Sequence, residues 1–242
     1  MSKIAIISDI HANLPALHSV LADAEQQGIE RHVCLGDVVG YGPNPSECVT
    51  RIQELGCICI KGNHDEYISY DDEANNFNDI AKAALTWTKS QLSAPQKAWL
   101  ASLPYTRRIG RQMLVHASIN NPEGWEYVRN SFDASIAMNA QTTDICFSGH
   151  THVPIVYEMD GGKVKVLSGE VVKLGQNSKY LINCGSVGQP RDGDPLACYV
   201  IFDRVERTVT FRRVEYDLES VASEIRAAGL PEKLADRLIA AY

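Results

Sequence analysis

A short apolar run near the N-terminus, I-A-I-I at residues 4–7, is the strongest local indication of the fold class of this chain. The run is rich in isoleucine, long enough for a buried parallel strand and too short for a buried helix. Asp9 and His11 follow it, where open α/β sheets carry ligand-binding groups. Because a carboxylate and an imidazole two residues apart can reach one ion, the stretch predicts a strand that ends in metal ligands.

Helix and strand patterns alternate from this run to residue 60. Apolar residues at helical spacing alternate with short β-branched runs, and glycines mark the helix ends. This βαβαβ order predicts a parallel sheet with right-handed crossovers. Helices are predicted over residues 13–27 and 45–55, and strands over 33–35 and 57–60.

Residues 66–102 interrupt the alternation. The acidic stretch 67–78 predicts a loop, and a helix is expected to begin near Phe77. Ser93 and Gln96 have the capping-box spacing that opens another helix. We expect a helical insertion that acts as a lid on one domain comprising residues 1–242.

The second half of the chain changes to short alternating runs, with Gly161-Gly162 as a hairpin turn. These runs predict a second sheet packed on the first, with two amphipathic helices closing the chain. The runs of this second sheet are 153–159, 163–167, 179–183, 197–203 and 207–214. Further strands are predicted over residues 105–109, 113–115 and 145–147, and helices over 131–140 and within 217–242.

Five of the strand-like runs end in metal-type side chains, and five of the seven histidines lie at these ends. Since the ends are expected to share one edge of the sheet, the side chains should converge there. Mixed nitrogen and oxygen donors in this number suit a pair of divalent ions, Mn or Fe foremost, with Zn, Ni or Mg as alternatives. Asp37 is the candidate bridging carboxylate. The predicted ligands are Asp9, His11, Asp37, Asn63, His116, His150 and His152.

Composition excludes several classes of protein. The net charge of −7 and the pI near 5.5 argue against a general nucleic-acid binder, although two bound cations would still attract a phosphate. No apolar run approaches the ~18 residues of a membrane span, and no signal peptide is evident. The seven cysteines lie mostly in apolar runs, which suits reduced thiols and a cytoplasmic protein.

The motifs together resemble the calcineurin-like metallophosphoesterases, in particular the small prokaryotic phosphodiesterase or diadenosine-tetraphosphatase-like branch. D-x-H at Asp9, G-D at Asp37, G-N-H-D at residues 62–65, and G-H-T-H at residues 149–152 carry the resemblance. It implies a four-layer α/β/β/α sandwich of two mixed sheets. It also implies one metal held by Asp9, His11, Asp37 and His152, and a second metal held by Asp37, Asn63, His116 and His150. His64 would then be the general acid or the transition-state stabiliser.

The resemblance predicts a dinuclear phosphoesterase that hydrolyses a small phosphodiester, nucleotide or phosphomonoester by attack of a metal-bound hydroxide. Asn63, Tyr41 and Arg191 are candidate substrate contacts. A non-catalytic metal-binding scaffold, a nuclease and a protein phosphatase are the alternatives. Gly40-Tyr41-Gly42 replaces the D-R-G of protein phosphatases, so the aspartate expected beside His64 is missing. Cys184 stands where the branch has proline, and we expect a buried neutral thiol there.

Overall fold

Two six-stranded mixed sheets lie face to face in the computed structural model, which describes residues 2–70 and 78–242. Helices cover both outer faces, so the predicted α/β/β/α sandwich is confirmed. The strands are β1 (Lys3–Ile7), β2 (His32–Cys34), β3 (Ile58–Cys59), β4 (Thr106–Ile109), β5 (Gln112–Val115), β6 (Ile145–Ser148), β7 (Ile155–Asp160), β8 (Lys163–Leu167), β9 (Val171–Lys173), β10 (Lys179–Asn183), β11 (Ala197–Asp203) and β12 (Thr208–Val214).

The helices confirm most of the sequence periodicities. Asn13 accepts the backbone N–H of Ala16 and so caps the first helix, while Gly56 ends the second in a left-handed conformation. Ser93 and Gln96 form the predicted capping box. The helices are α1 (Leu14–Gln26), α2 (Pro45–Leu55), α3 (Asn63–Ser69), α4 (Asp79–Gln91), α5 (Ala94–Ser102), α6 (Ser131–Ala140), α7 (Leu218–Ala227) and α8 (Glu232–Ala240).

Side chains along each strand point alternately to the two faces of its sheet, and this alternation divides the core into layers. Ile4 and Ile6 of β1 face the second sheet and pack in one cluster with Phe147. Ala5 and Ile7 face the other way and pack with the buried stripe of α1. On the far side of the second sheet, β6 and β10 pack against α6. The central strands of each sheet are thus buried on both faces, which explains their nearly continuous apolar runs.

Strand pairing differs from the sequence prediction. The order of the first sheet is β3-β2-β1-β11-β12-β9, so the runs at 197–203 and 207–214 belong to it and not to the second sheet. Ile4 pairs antiparallel with Phe202. The second sheet, β4-β5-β6-β10-β7-β8, contains the strands that lead to His116 and His150. The prediction of one shared sheet edge was therefore wrong, because local patterns carry no information on which strands pair.

The insertion packs into the body of the protein. Helix α4 contributes Ala81 and Ala84 to a cluster with α7, α8 and the ring of Tyr41. Helix α5 is joined to α2 by hydrogen bonds between Gln96 and Ser46. Residues 67–69 are helical rather than loop, because α3 continues to Ser69, and Phe77 lies outside the described residues. Among the described helices, none has the length and apolarity to cross a membrane.

Candidate metal centre and cleft

The loops that follow β1, β2, β3, β5 and β6 meet at one end of the sandwich, where the two sheets abut. Parallel pairing of β1 with β2 and of β5 with β6 directs these ends the same way. All the side chains predicted as metal ligands or catalyst are brought together there and are buried. They are Asp9, His11, Asp37, Asn63, His64, His116, His150 and His152.

Two groups of donors lie side by side in this cluster, and a third combination (His11, Asp37 and His64) overlaps both. In one, His152 Nε2 is 3.2 Å from Asp9 Oδ1, and His11 Nε2 is 3.1 Å from His152 Nε2. In the other, His116 Nε2 is 3.4 Å from Asp37 Oδ2 and 3.2 Å from Asn63 Oδ1. A second imidazole, that of His150, completes this group. Each group has the size and donor types of a single transition-metal site.

Asp37 lies between the two groups. Its Oδ2 is 3.4 Å from His116 Nε2 and 3.6 Å from His11 Nε2, so one carboxylate oxygen faces both sides. Its Oδ1 accepts the backbone N–H of His64 at 2.8 Å. A side chain at position 62 would collide with this carboxylate, which explains the glycine before Asn63. The position of Asp37 suits the bridging role predicted for it.

Backbone carbonyls orient the four imidazoles that are predicted as metal ligands. The outer ring nitrogens lie close to carbonyl oxygens: His11 Nδ1 is 3.2 Å from that of Val39, and His116 Nδ1 is 2.9 Å from that of Leu35. His150 Nε2 lies 2.9 Å from the oxygen of Trp125, and His152 Nδ1 likewise approaches that of Gln189. Since a carbonyl only accepts, each outer nitrogen carries a proton, and the inner nitrogen presents a lone pair when the ring is neutral.

This arrangement of lone pairs fits a cation. With both outer nitrogens protonated, the facing Nε2 atoms of His11 and His152, 3.1 Å apart, are both acceptors when the rings are neutral. Two lone pairs at that separation repel unless a proton or a metal ion lies between or beside them. The donor chemistry of the site therefore fits a bound metal.

Electrostatics favour the same conclusion. Burial lowers the pKa of His150 to about 3 and that of His64 to about 4, so both rings are neutral near pH 7. Burial also acts to lower the pKa of His116, but the charge of Asp37 and their hydrogen bond overcome it and raise that pKa to about 10. The pKa of Asp37 is correspondingly well below its ordinary value. With Asp9 also ionised, the buried groups carry excess negative charge, and a cation at His116 would displace its proton.

The backbone of the site is held in unusual conformations. In the described part of the chain, eight of the ten non-glycine residues with positive φ lie in the loops of the site. Such conformations cost roughly 1–2 kcal/mol each for residues with a side chain and cluster at functional sites. The eight are Asp9, His11, Ala12, Asp37, Tyr41, Trp125, His150 and His152.

The surroundings of His64 explain the glycine at position 40. Gly40 has φ +92°, and a Cβ there would collide with the His64 ring. The ring of Tyr41 lies 4.4 Å from that of His64, at an interplanar angle of 60°. The imidazole therefore occupies the space that the aspartate of a protein phosphatase would need.

A cleft of about 270 Å³ opens onto the cluster. Asn63, Tyr41 and Arg191, the predicted substrate contacts, all line it. Cys184 does not, because it packs in the core between the sheets, where burial raises the pKa of its thiol. Sequence reasoning missed other lining residues, notably Tyr67, Asn78, Trp125 and Tyr127.

The missed residue pair Trp125 and Tyr127 had a sequence signal. The stretch G-W-E-Y at residues 124–127 combines two aromatic side chains with a glycine in a segment without helix or strand periodicity. Aromatic residues in such loops often contact ligands rather than the core.

Asp65 was missed as well. Its carboxylate accepts the backbone N–H groups of Val38 and Gly62, and so ties together the loops that carry Asp37 and Asn63.

Comparisons with known proteins find relatives over nearly the whole chain. The family model for the calcineurin-like phosphoesterase superfamily domain matches residues 2–207. The uncharacterized protein MJ0912 of Methanocaldococcus jannaschii is 40% identical over 241 residues, covering 98% of this chain and 97% of that protein. Phosphodiesterase YfcE of Escherichia coli is 27% identical over 213 residues, covering 84% of this chain and 88% of the relative. The crystal structure of a metallophosphoesterase from Sphaerobacter thermophilus matches with a TM-score of 0.89 and 42% identity, covering 99% of both chains.

Proposed function

Because this chain belongs to the calcineurin-like phosphoesterase superfamily, we propose that it is a dinuclear metal-dependent hydrolase of small phosphate esters. The observation that carries the proposal is the buried pair of His/Asp groups joined by Asp37 at the base of a cleft. Phosphodiesters are the favoured substrates, in line with the name of the relative YfcE. The cytoplasm is the proposed location, since all seven cysteines are unpaired thiols.

The two donor groups define the proposed ligands. Asp9, His11 and His152 would hold one divalent ion, with Asp37 as shared ligand. Asp37, His116, His150 and Asn63 would hold the second. Bound in this way, the ions supply an activated water at neutral pH and offset charge on the phosphoryl oxygens. Mn and Fe are the proposed metals, because imidazole and carboxylate donors suit them and none of the grouped ligands is a thiolate.

Arg191 is the proposed anchor for the phosphate. It lines the cleft, and its Nη2 donates to Gln189 Oε1 at 3.0 Å. Its Nε is buried and finds no acceptor among the described residues. The guanidinium is planar, permanently charged and carries several N–H donors, so from the cleft wall it suits a bidentate contact with a phosphate. The guanidinium would thereby fix the phosphate above the ligand cluster.

His64 is the proposed catalytic residue. It lines the cleft beside Asp37, whose carboxylate fixes the backbone of the turn that carries it. Because burial lowers its pKa to about 4, the neutral ring is the form present near pH 7. We therefore favour His64 as a hydrogen-bond donor to the leaving oxygen over transfer of a proton from an imidazolium.

The alternatives predict different sites. A non-catalytic scaffold would need neither His64 nor an open cleft, yet both are present. A protein phosphatase would need a carboxylate near position 40, where the His64 ring leaves no room for a side chain. A metal-dependent esterase for small substrates accounts for all these features.

The test is hydrolysis of bis(p-nitrophenyl) phosphate and of p-nitrophenyl phosphate after chelation and add-back of single metals. Mn, Fe, Zn, Ni and Mg are added in turn, and metal content is measured in parallel. The proposal expects metal-dependent release of p-nitrophenolate, with two ions bound per chain at full activity. Two bound ions without turnover on either substrate would favour the scaffold.

A further inference from the structure

Each donor group of the proposed metal site has a tyrosine packed on one of its histidines. On one side, the ring of Tyr41 lies 4.6 Å from that of His11 and 4.4 Å from that of His64. On the other, the ring of Tyr127 stacks on that of His150, with centroids 4.0 Å apart and an interplanar angle of 22°. Both tyrosines line the same cleft. The cleft therefore has an aromatic flank beside each group.

A guanidinium accompanies each tyrosine. The Cζ of Arg191 lies 5.7 Å from the centre of the Tyr41 ring, and that of Arg129 lies 4.0 Å from the centre of the Tyr127 ring. Such cation–π contacts hold an aromatic ring in a defined orientation and place positive charge beside it. Two His–Tyr–Arg arrangements thus border the place where an anionic substrate would lie.

The flank beside His150 is fixed to the site by its backbone. The carbonyl of Trp125 lies 2.9 Å from His150 Nε2, and its indole ring lies 5.9 Å from the His116 ring. Trp125 adopts φ +53°, a conformation that the surrounding contacts must maintain. Tyr127 is nevertheless 41% exposed, which is unusual for a large aromatic side chain held on a buried histidine. Because the His150 ring stacks on one face of Tyr127 and the Arg129 guanidinium lies over the other, Tyr127 presents its ring edge to the cleft. A ring edge suits contact with the face of a planar aromatic group.

We propose that Trp125 and Tyr127 form a subsite for the second ester group of a phosphodiester, and that this subsite selects a planar aromatic group. The inference rests on the proposed function. With the phosphate between the two donor groups, the leaving group lies on the flank of Tyr41 and His64. The other ester group then meets Trp125 and Tyr127. A monoester would leave this second flank empty.

The volume of the cleft limits the size of that group. At about 270 Å³ it lies slightly below the roughly 300–1,000 Å³ that is usual for drug-sized ligands. This volume suits a single aromatic ring on each side of the phosphate rather than a folded polymer. The subsite thus favours diesters over monoesters, and aromatic over aliphatic second groups.

Three substrates that share one leaving group isolate the second ester group. Bis(p-nitrophenyl) phosphate, methyl p-nitrophenyl phosphate and p-nitrophenyl phosphate all release p-nitrophenolate, and they carry an aryl, a methyl or no second group. We expect kcat/KM of the metal-loaded protein to fall in that order. Tyr127→Leu should reduce the aryl-to-methyl ratio about 3- to 10-fold, the range that one aromatic contact supports. Tyr127→Phe should restore the ratio.

A binding measurement complements the rates. Diphenyl phosphate and dimethyl phosphate, which have poor leaving groups, are titrated by calorimetry into the metal-loaded protein. The wild type should bind the diphenyl ester more tightly, and Tyr127→Leu should reduce the ratio of the two Kd values about 3- to 10-fold, since only one of the two phenyl groups meets Tyr127. Phe132→Leu is the matched control, because Phe132 is 72% exposed on α6 and is not part of the cleft lining.

The outcomes separate this inference from the proposed function. No metal-dependent release from any of the three substrates in the wild type refutes the proposed function. Release with equal kcat/KM for the aryl and methyl diesters refutes the subsite and leaves the proposed function intact. An equal loss on all three substrates in Tyr127→Leu, with reduced metal content, would show that Tyr127 only supports His150. A changed aryl-to-methyl ratio at normal metal content supports the subsite.

Discussion

Lys61 offers the sharpest test of how the ligand loops are held in place. Its side chain is 2% exposed, although it directly precedes the Gly62-Asn63 turn, and its Nζ lies 2.7 Å from Glu66 Oε2. The rings of Tyr70 and Tyr105 lie 5.3 and 4.9 Å from the same ammonium. The hydroxyl of Tyr105 donates to the other oxygen of Glu66 at 2.8 Å. A buried cation therefore joins β3, α3 and the start of the second sheet.

Replacing Lys61 by methionine removes the charge but keeps most of the apolar stem. Breaking a fully buried ion pair costs about 3–5 kcal/mol, because the remaining charge stays desolvated. Glu66 is 21% exposed and can partly rehydrate, so we expect about 2–3 kcal/mol. In a chain of this length that loss lowers Tm by about 4–12 °C. The double variant Lys61→Met/Glu66→Leu should recover most of the loss, since it leaves no buried charge.

Thermal unfolding followed by circular dichroism at pH 7 measures these shifts. Lys173→Met is the matched control, because it breaks an exposed ion pair in which Lys173 Nζ lies 3.2 Å from Glu206 Oε2. Surface pairs contribute about 0–1 kcal/mol, so its Tm should change little. If Lys61→Met lowers Tm no more than Lys173→Met does, the buried cation does not hold the turn and the reasoning is wrong.

Three further predictions concern the site and its support. Asp37→Asn should reduce bound metal from two ions to one or none and lower turnover at least ~10³-fold; two ions with normal turnover would disprove the bridging role. His64→Ala should keep both ions and lose about 10²–10⁴-fold in rate, whereas loss of metal by elemental analysis would make His64 a ligand. A hydrogen bond from Arg212 lowers the pKa of Asp23 in the folded protein below its unfolded value of about 3.9. The ionised carboxylate of Asp23 therefore stabilises the fold fully above that unfolded pKa, and this stabilisation is lost as the pH falls through the lower pKa of the folded state. The Tm difference between wild type and Asp23→Asn should therefore shrink from pH 7 to pH 3.

The alternation of strands, helices and ligand-bearing loops was readable from the sequence, because periodicity and turn residues act over a few positions. Residues such as Asp9 and His11 directly follow a run that can only be a buried strand, so their place at a strand end follows from local chemistry. The order of the motifs along the chain and the histidines in them then predicted a metal site. Local signals also placed Asn13 and Gly56 correctly at helix ends.

Tertiary structure alone decided how the two halves of the site meet. His116 and His150 follow strands of one sheet, whereas Asp9 and Asp37 follow strands of the other. Nothing in the local sequence pattern assigns a strand to a sheet. The left-handed backbone of the ligand loops is imposed by long-range contacts, such as the bond from Ser186 Oγ to the carbonyl of Asp9. Trp125 and Tyr127 acquire their place beside the cluster in the same way. Short-range preferences therefore determined which residues could bind metal, whereas packing between distant segments determined the shape of the cleft around them.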